Sequence, residues 1–399
     1  VATPFSSIST ARRRALTVAL FIALTPVPVM AQGGSQGPLG ITPGITWRTH
    51  YDDNVYRNGE HAESDLVSTI GARAGVRRQI RRLGVSLSGG ADWVHFDRLA
   101  SERGANVDTG LRLDVRLNRF APYVSTSYRN SRERLNPEID TRPRIGRAAM
   151  AMGSAFRLGG AKTSLDLSYR RSMDVYNRSA TVDGVRLADA LNRASNSFGV
   201  QVRRELTPLT RINVRADLER DRFDTSSRSA NNLRLSTGFD SDGLINGSAQ
   251  VGVRILKPQD PGRPESRRFF VSLGTGFTVR DRVQIGLDAH RDFAPSYTQA
   301  AAYYAAYSYG MSLSYAMLRV VRLSAQVDRR VADYRASSGA VGAIGNRVDE
   351  EMRYGAGIGY SLGRSIGVNV SGTYSERTST AALREFDGLS VGAGISYGF

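Results

Sequence analysis

The chain has no cysteine in 399 residues. Disulfides and thiolate metal sites are therefore excluded. Lysine is nearly absent as well: Lys162 and Lys257 stand alone, so the formal charge of +17 rests on arginine. Histidine is confined to His50, His61, His95 and His290, isolated from one another in sequence. No serine sits in a nucleophile elbow, so catalysis lacks a recognisable centre. The nearest approach to a metal-ligand cluster is "YDDN" (Tyr51 to Asn54) followed by His61, which reads as solvated loop acids. The glycines of "YGAGIGYSLG" (Gly355, Gly357, Gly359) fall within a strand pattern with no helix after it. They imitate a nucleotide loop only superficially, and no cofactor is expected. Long apolar runs are also missing after residue 31, which rules out a transmembrane helix of about 20 residues.

What is present begins with Arg12, Arg13 and Arg14, the apolar run "ALTVALFIAL" and a small residue at Ala31. This order predicts a cleavable export signal over residues 1–31, too short to anchor a membrane. A short periplasmic segment (32–43) and a β-barrel (44–399) are expected to follow. Export makes nucleic acid an improbable partner for the basic charge, so the placement of the arginines matters more than their sum.

From about Gly44 onward the chain repeats one motif: a segment of period two, a break, another segment. In "NVDTGLRLDVRLN", Val107, Leu111, Leu113, Val115 and Leu117 share one face, and Asp108, Arg112, Asp114 and Arg116 the other. "TRINVRADLE" sets Ile212, Val214, Ala216 and Leu218 against Arg211, Asn213, Arg215 and Asp217. Alternation of this kind belongs to two-faced strands. About eighteen such segments occur, separated alternately by tight breaks (Arg81-Arg82, Asp281-Arg282, Gly363-Arg364) and longer polar ones (57–65, 177–190, 337–346). The fold class expected is all-β: a transmembrane up-and-down antiparallel barrel of about 18 strands, with short periplasmic turns and longer outer loops. A soluble barrel of that girth would need a large apolar filling. The non-apolar face offers mostly Gly, Ser, Ala and charge, so lipid is expected outside and water inside.

On that reading the inward face receives Arg73, Arg77, Arg112, Arg116, Arg129, Arg170, Arg203, Arg211, Arg215, Arg234, Arg254, Arg322, Arg330 and Arg353. Asp92, Asp108, Asp114, Asp217, Asp240 and Asp288 stand among them. Individually these arginines brace a wall through ion pairs. Together they make a basic channel that favours anions. The closing "GLSVGAGISYGF" places Ile395, Tyr397 and Phe399 on one face and reads as the strand that seals the barrel. That terminal pattern resembles the signal read by the outer-membrane barrel assembly machinery, the expected partner during insertion.

The stretch "YDDNVYR", followed by Ser64-Asp65, together with the strand layout of nearly the whole chain, resembles the putative β-barrel porin 2 family. Tyr51, Asp52, Asp53 and Asn54 match that family's first-strand motif. The resemblance implies a Gram-negative outer-membrane barrel, in some members encoded with exopolysaccharide genes. It therefore implies a conduit for an exopolysaccharide, with an export lipoprotein as a further partner beside outer-membrane lipid, and an anionic polysaccharide would suit the basic lumen. The alternatives are a general porin for small anionic solutes, an outer-membrane enzyme and an adhesive barrel acting through its loops.

Overall fold

The computed structural model describes residues 40–399 except 135–137, 160–161, 244, 264, 299–302, 335–346 and 399. The expected export signal and Phe399 therefore lie outside the described residues. Eighteen strands form the wall. The first seven are β1 (Ile41–Asp52), β2 (Asp65–Ile80), β3 (Leu83–Phe96), β4 (Gly104–Val115), β5 (Phe120–Arg132), β6 (Arg144–Leu158) and β7 (Thr163–Tyr176). A loop follows that carries a small hairpin, β8 (Thr181–Val182) and β9 (Val185–Arg186), and one helical turn, α1 (Leu187–Leu191). The wall resumes with β10 (Arg193–Thr207), β11 (Thr210–Phe223), β12 (Ala230–Asp242), β13 (Ile245–Pro258), β14 (Ser266–Val279) and β15 (Val283–Pro295). It ends with β16 (Tyr303–Ala316), β17 (Val321–Asp333), β18 (Val348–Leu362), β19 (Ile366–Ser379) and β20 (Phe386–Gly398).

Every wall strand pairs antiparallel with its sequence neighbours, and β1 pairs with both β2 and β20. The seam runs from Gly44 opposite Gly398 to Asp52 opposite Ser390. Closure satisfies the backbone groups that an open sheet would expose to hydrocarbon. Exposed Ile45, Ile70, Leu87, Val214, Leu218 and Phe269 fall on the outward parity of their strands and form the lipid band. Trp93 and Tyr128 lie towards the long-loop end of this band, and Phe120, Phe156 and Tyr360 towards the tight-turn end. These are the two aromatic girdles expected of such a barrel.

The eight tight turns hold Arg81, Arg82, Arg116, Arg119, Lys162, Arg280, Arg282, Arg319 and Arg364 against one acid, Asp281. Arg81, Arg280 and Asp281 adopt φ of 54°, 49° and 55°, the left-handed region that hairpin turns require and that Gly or Asn fills most easily.

The strands run 12 to 16 residues, longer than the roughly 9–11 that a tilted strand needs to cross a bilayer. The surplus stands at the long-loop end. There the inward face departs from the small-residue pattern of the sequence. Phe96, Tyr176, Phe223, Phe270, Tyr304 and Phe386 are buried and point inward beneath the loops. Loops that fold over a lumen need an apolar footing, and these side chains provide it.

Candidate functional site: the lumen and its outer mouth

Thirteen of the fourteen arginines named above occupy the parity opposite to the exposed apolar side chains, and so face inward; Arg116 lies in the turn just beyond β4. Most are braced. Arg73 meets Asp92 at 3.3 Å, Arg112 and Arg116 share Asp114, and Arg129 meets Glu133. Arg211 pairs with Asp242 and Arg353 with Glu351. Arg215 holds Asp217 through two bonds of 2.6 and 2.7 Å. Arg77, Arg170, Arg203, Arg322 and Arg330 have no ion pair among the described residues. Three of these five, Arg77, Arg203 and Arg322, stand near the tight-turn end, where the lumen is least compensated.

Direct register places Arg234 of β12 beside Arg254 of β13, and Arg254 beside Arg268 of β14. Three guanidinium groups on adjacent strands would repel one another without counter-charge. Asp292 bridges two of them, at 3.1 Å from Arg234 and 3.2 Å from Arg254. The Arg234 guanidinium lies 3.7 Å over the buried Phe270 ring. That ring in turn occupies the space above Gly252, where a Cβ would stand 2.6 Å from it.

At the outer mouth five connecting segments fold inward and meet. The β5–β6 loop supplies Glu138, Ile139 and Asp140; the β15–β16 loop, rooted on the nearly opposite wall, supplies Ser296, Tyr297 and Thr298. Ser296 Oγ donates to Glu138 Oε1, and the Tyr297 N–H donates to Oε2 at 3.2 Å. Arg228, from the β11–β12 loop, donates to the carbonyls of Ser296, Tyr297 and Thr298 at 2.5, 3.1 and 2.6 Å. Arg384, from the β19–β20 loop, donates to the Tyr297 hydroxyl at 3.2 Å and to the Glu138 carbonyl, and pairs with Asp140 at 3.1 Å. Asp183, at the tip of the β8–β9 hairpin, accepts from the Tyr297 hydroxyl at 2.5 Å. Ile139, Val182, Leu187, Leu191 and Tyr297 pack with Ile145 and Tyr176 of the wall into a small apolar core. This cluster bridges the mouth.

Glu138 is fully buried, and burial raises its pKa above the ordinary value of 4.5 despite its hydrogen bonds and the charge of Arg347. A raised folded-state value means that the protonated form stabilises the cluster. That stabilisation is full below about 4.5 and is lost as pH rises through the higher folded value. Burial, and then the nearby Arg263, push Arg228 down. Channel openings of the wild-type barrel are expected to grow more frequent as pH rises from about 4.5 through the raised Glu138 value, and Glu138→Gln should flatten that dependence. Planar-bilayer recordings at a series of pH values test this; a flat wild-type profile would refute it.

The motif Tyr51–Asn54 lies at the top of the seam, not in the lumen. Tyr51 faces lipid. Asp52 accepts from the Asn54 N–H at 3.0 Å, which turns the chain off β1. The Asp53 carboxylate accepts from the Leu389 N–H at 2.7 Å. Buried Asn54 donates to the carbonyls of Asp387 and Asn58, at 2.9 and 3.0 Å, and accepts from the Asn58 N–H. The motif thus ties the end of the first strand to the start of the last.

Sequence reasoning did not find the mouth cluster. Its one available signal was apolar side chains inside polar loops, notably "LADAL" at α1 and Ile139. A concavity of about 550 Å³ lined by Val200, Val202, Val214, Leu235 and Val251 lies on the lipid-facing side of β10–β13 and holds no chemistry. Among the described residues no three His, Asp or Glu side chains gather in a way that would hold a metal ion.

A family model described as "Putative beta-barrel porin 2" matches residues 27–399. No curated protein matches the chain. Among solved structures, OpdK of Pseudomonas aeruginosa aligns at 10% identity and a TM-score of 0.47, over 90% of this chain and 99% of that one. OccAB4 of Acinetobacter baumannii aligns at 8% and 0.49, over 90% and 98%. The siderophore receptor PirA of Pseudomonas aeruginosa aligns at 10% and 0.45, over 90% and 80%.

Proposed function

The chain belongs to the putative beta-barrel porin 2 family, and on that premise we propose that this outer-membrane, porin-like barrel passes small anionic solutes through its basic lumen. The observation that carries the proposal is the inward arginine set beneath a mouth narrowed by loops. A lumen lined with excess guanidinium charge concentrates anions and repels cations, the more so where arginines have no ion pair among the described residues, as Arg77, Arg203 and Arg322 do. Loops that meet across the mouth through Glu138, Tyr297 and Arg384 favour small solutes over a polymer. Export of a polysaccharide, the reading drawn from the family resemblance, would require those loops to part, and it stands second.

Reversal potentials in a KCl gradient test the proposal. The wild-type barrel is expected to prefer chloride. Arg215→Ser should reduce that preference more than Arg112→Ser does. The first change uncovers Asp217, whereas Asp114 keeps Arg116 after the second. Combining both with Arg254→Ser should lower the chloride-to-potassium permeability ratio severalfold. Unchanged selectivity in the triple variant would reduce these arginines to wall braces.

A further inference from the structure

The charge of this chain is distributed unequally between the two ends of its barrel. The nine outer loops, which join strands at the mouth, contain 12 basic and 14 acidic residues. The eight tight turns contain nine basic residues and one acid. All nine basic side chains are exposed, and among the described residues only Arg116 has an ion pair, with Asp114 at 3.7 Å. Arg81 and Arg280 keep their charge at left-handed backbone positions where Gly or Asn would be less strained.

Two further observations identify what such a rim meets. The basic residues go round the barrel, occupying six of the eight turns. At the two adjacent turns without one, Arg204 projects outward near the end of β10. Four of these six turns also adjoin exposed aliphatic side chains: Ile80 and Leu83 beside Arg81–Arg82, Val279 beside Arg280, Leu318 beside Arg319 and Leu362 beside Arg364. A protein partner would match a patch on one side. A ring of cations directly below a ring of aliphatics fits the boundary between acyl chains and headgroups. Short turns lie on the periplasmic side in outer-membrane barrels, where the facing leaflet is phospholipid.

We propose that the tight-turn rim binds the phosphate headgroups of anionic phospholipids in the periplasmic leaflet and holds the barrel at a fixed depth there. Cations at the headgroup level gain from an anionic surface and lose that gain within a Debye length or under salt. The proposal holds whatever the lumen carries.

The test is electron spin resonance of the full barrel in phosphatidylcholine vesicles doped with spin-labelled phosphatidylglycerol or spin-labelled phosphatidylcholine. The wild type is expected to associate with phosphatidylglycerol roughly twofold or more over phosphatidylcholine at low salt, falling towards parity at about 0.5 M salt. A variant carrying Arg82→Ser, Arg119→Ser, Arg282→Ser, Arg319→Ser and Arg364→Ser, none at a left-handed position, should show parity throughout. Lysine at the same five positions should restore the preference. Parity in the wild type, or a preference that survives the five serines, overturns the proposal. So does salt-sensitive cosedimentation with purified peptidoglycan in the absence of any lipid preference, which would assign the rim to a wall polymer.

Discussion

Barrels carrying Arg384→Ala are expected to conduct at several times the wild-type level, with noisy openings, while remaining folded in the membrane. Arg384 is buried and joins segments from four places in the chain. It reaches Asp140 at 3.1 Å, Asp183 at 3.7 Å, Asp349 at 3.8 Å and the Tyr297 hydroxyl at 3.2 Å. Removing one partner of a buried charge network leaves the others uncompensated, at a typical cost of about 3–5 kcal/mol. The apolar core of the mouth is small, centred on Ile139, Leu187 and Tyr297, so it has little with which to resist that loss. The wall has its own ladder of antiparallel pairs and does not depend on Arg384. Arg384→Lys should fall between, because an ammonium keeps the charge but not the planar fork that serves several acceptors together. Planar-bilayer recording gives the conductance, and heat-modifiable gel mobility reports the folded wall. An unchanged conductance in a folded Arg384→Ala barrel would show that the mouth cluster does not restrict flow.

The second large effect is expected at the seam. Gly392 of β20 lies opposite His50 of β1. A Cβ there would stand 2.5 Å from the Thr49 carbonyl oxygen and 2.5 Å from the His50 Cβ. The obstacle is largely backbone, so no side-chain rotation relieves it. Gly392→Val must push β1 and β20 apart, and overpacking of this kind costs about 1–3 kcal/mol or more. At most wall positions such strain would spread along strands already joined by a turn. At the seam no turn joins the two strands, so opening exposes two edges to hydrocarbon. The heat-modifiable folded form should be largely lost, with protein diverted to aggregate or degradation. Gly388→Ala on the same strand is the control, since its Cβ meets only the Asn54 and Asp53 side chains, at 3.2 and 3.3 Å. It should assemble nearly normally; equal yields for the two variants would remove the seam argument.

The wall was legible from residue order because lipid, backbone and water impose a local rule. Each strand must present apolar side chains to one side, and the alternation of Leu111 with Arg112, or Val214 with Arg215, records it residue by residue. Strand number followed from counting such segments, and the inward parity of the arginines followed from the pleat. The acids that would answer them were legible only where the pair lies close in sequence, as Arg215 and Asp217 do. Asp292, which serves Arg234 and Arg254 from more than thirty residues away, could not be assigned by spacing. The family motif shows the same limit. "YDDN" was visible as a pattern, but its action is a contact between Asp53 and Leu389, 336 residues apart.

The sequence by itself determined the lipid-facing band, the tally of strands, the tight turns and their surplus of arginine, since each depends on neighbours one to four residues away. Only the tertiary structure decided which acids answer which arginines, that Asp53 and Asn54 bind the last strand, and that Glu138, Tyr297 and Arg384 meet across the mouth. Those contacts join loops anchored on distant walls. They exist because barrel closure brings the walls round to face one another, and no local periodicity encodes them.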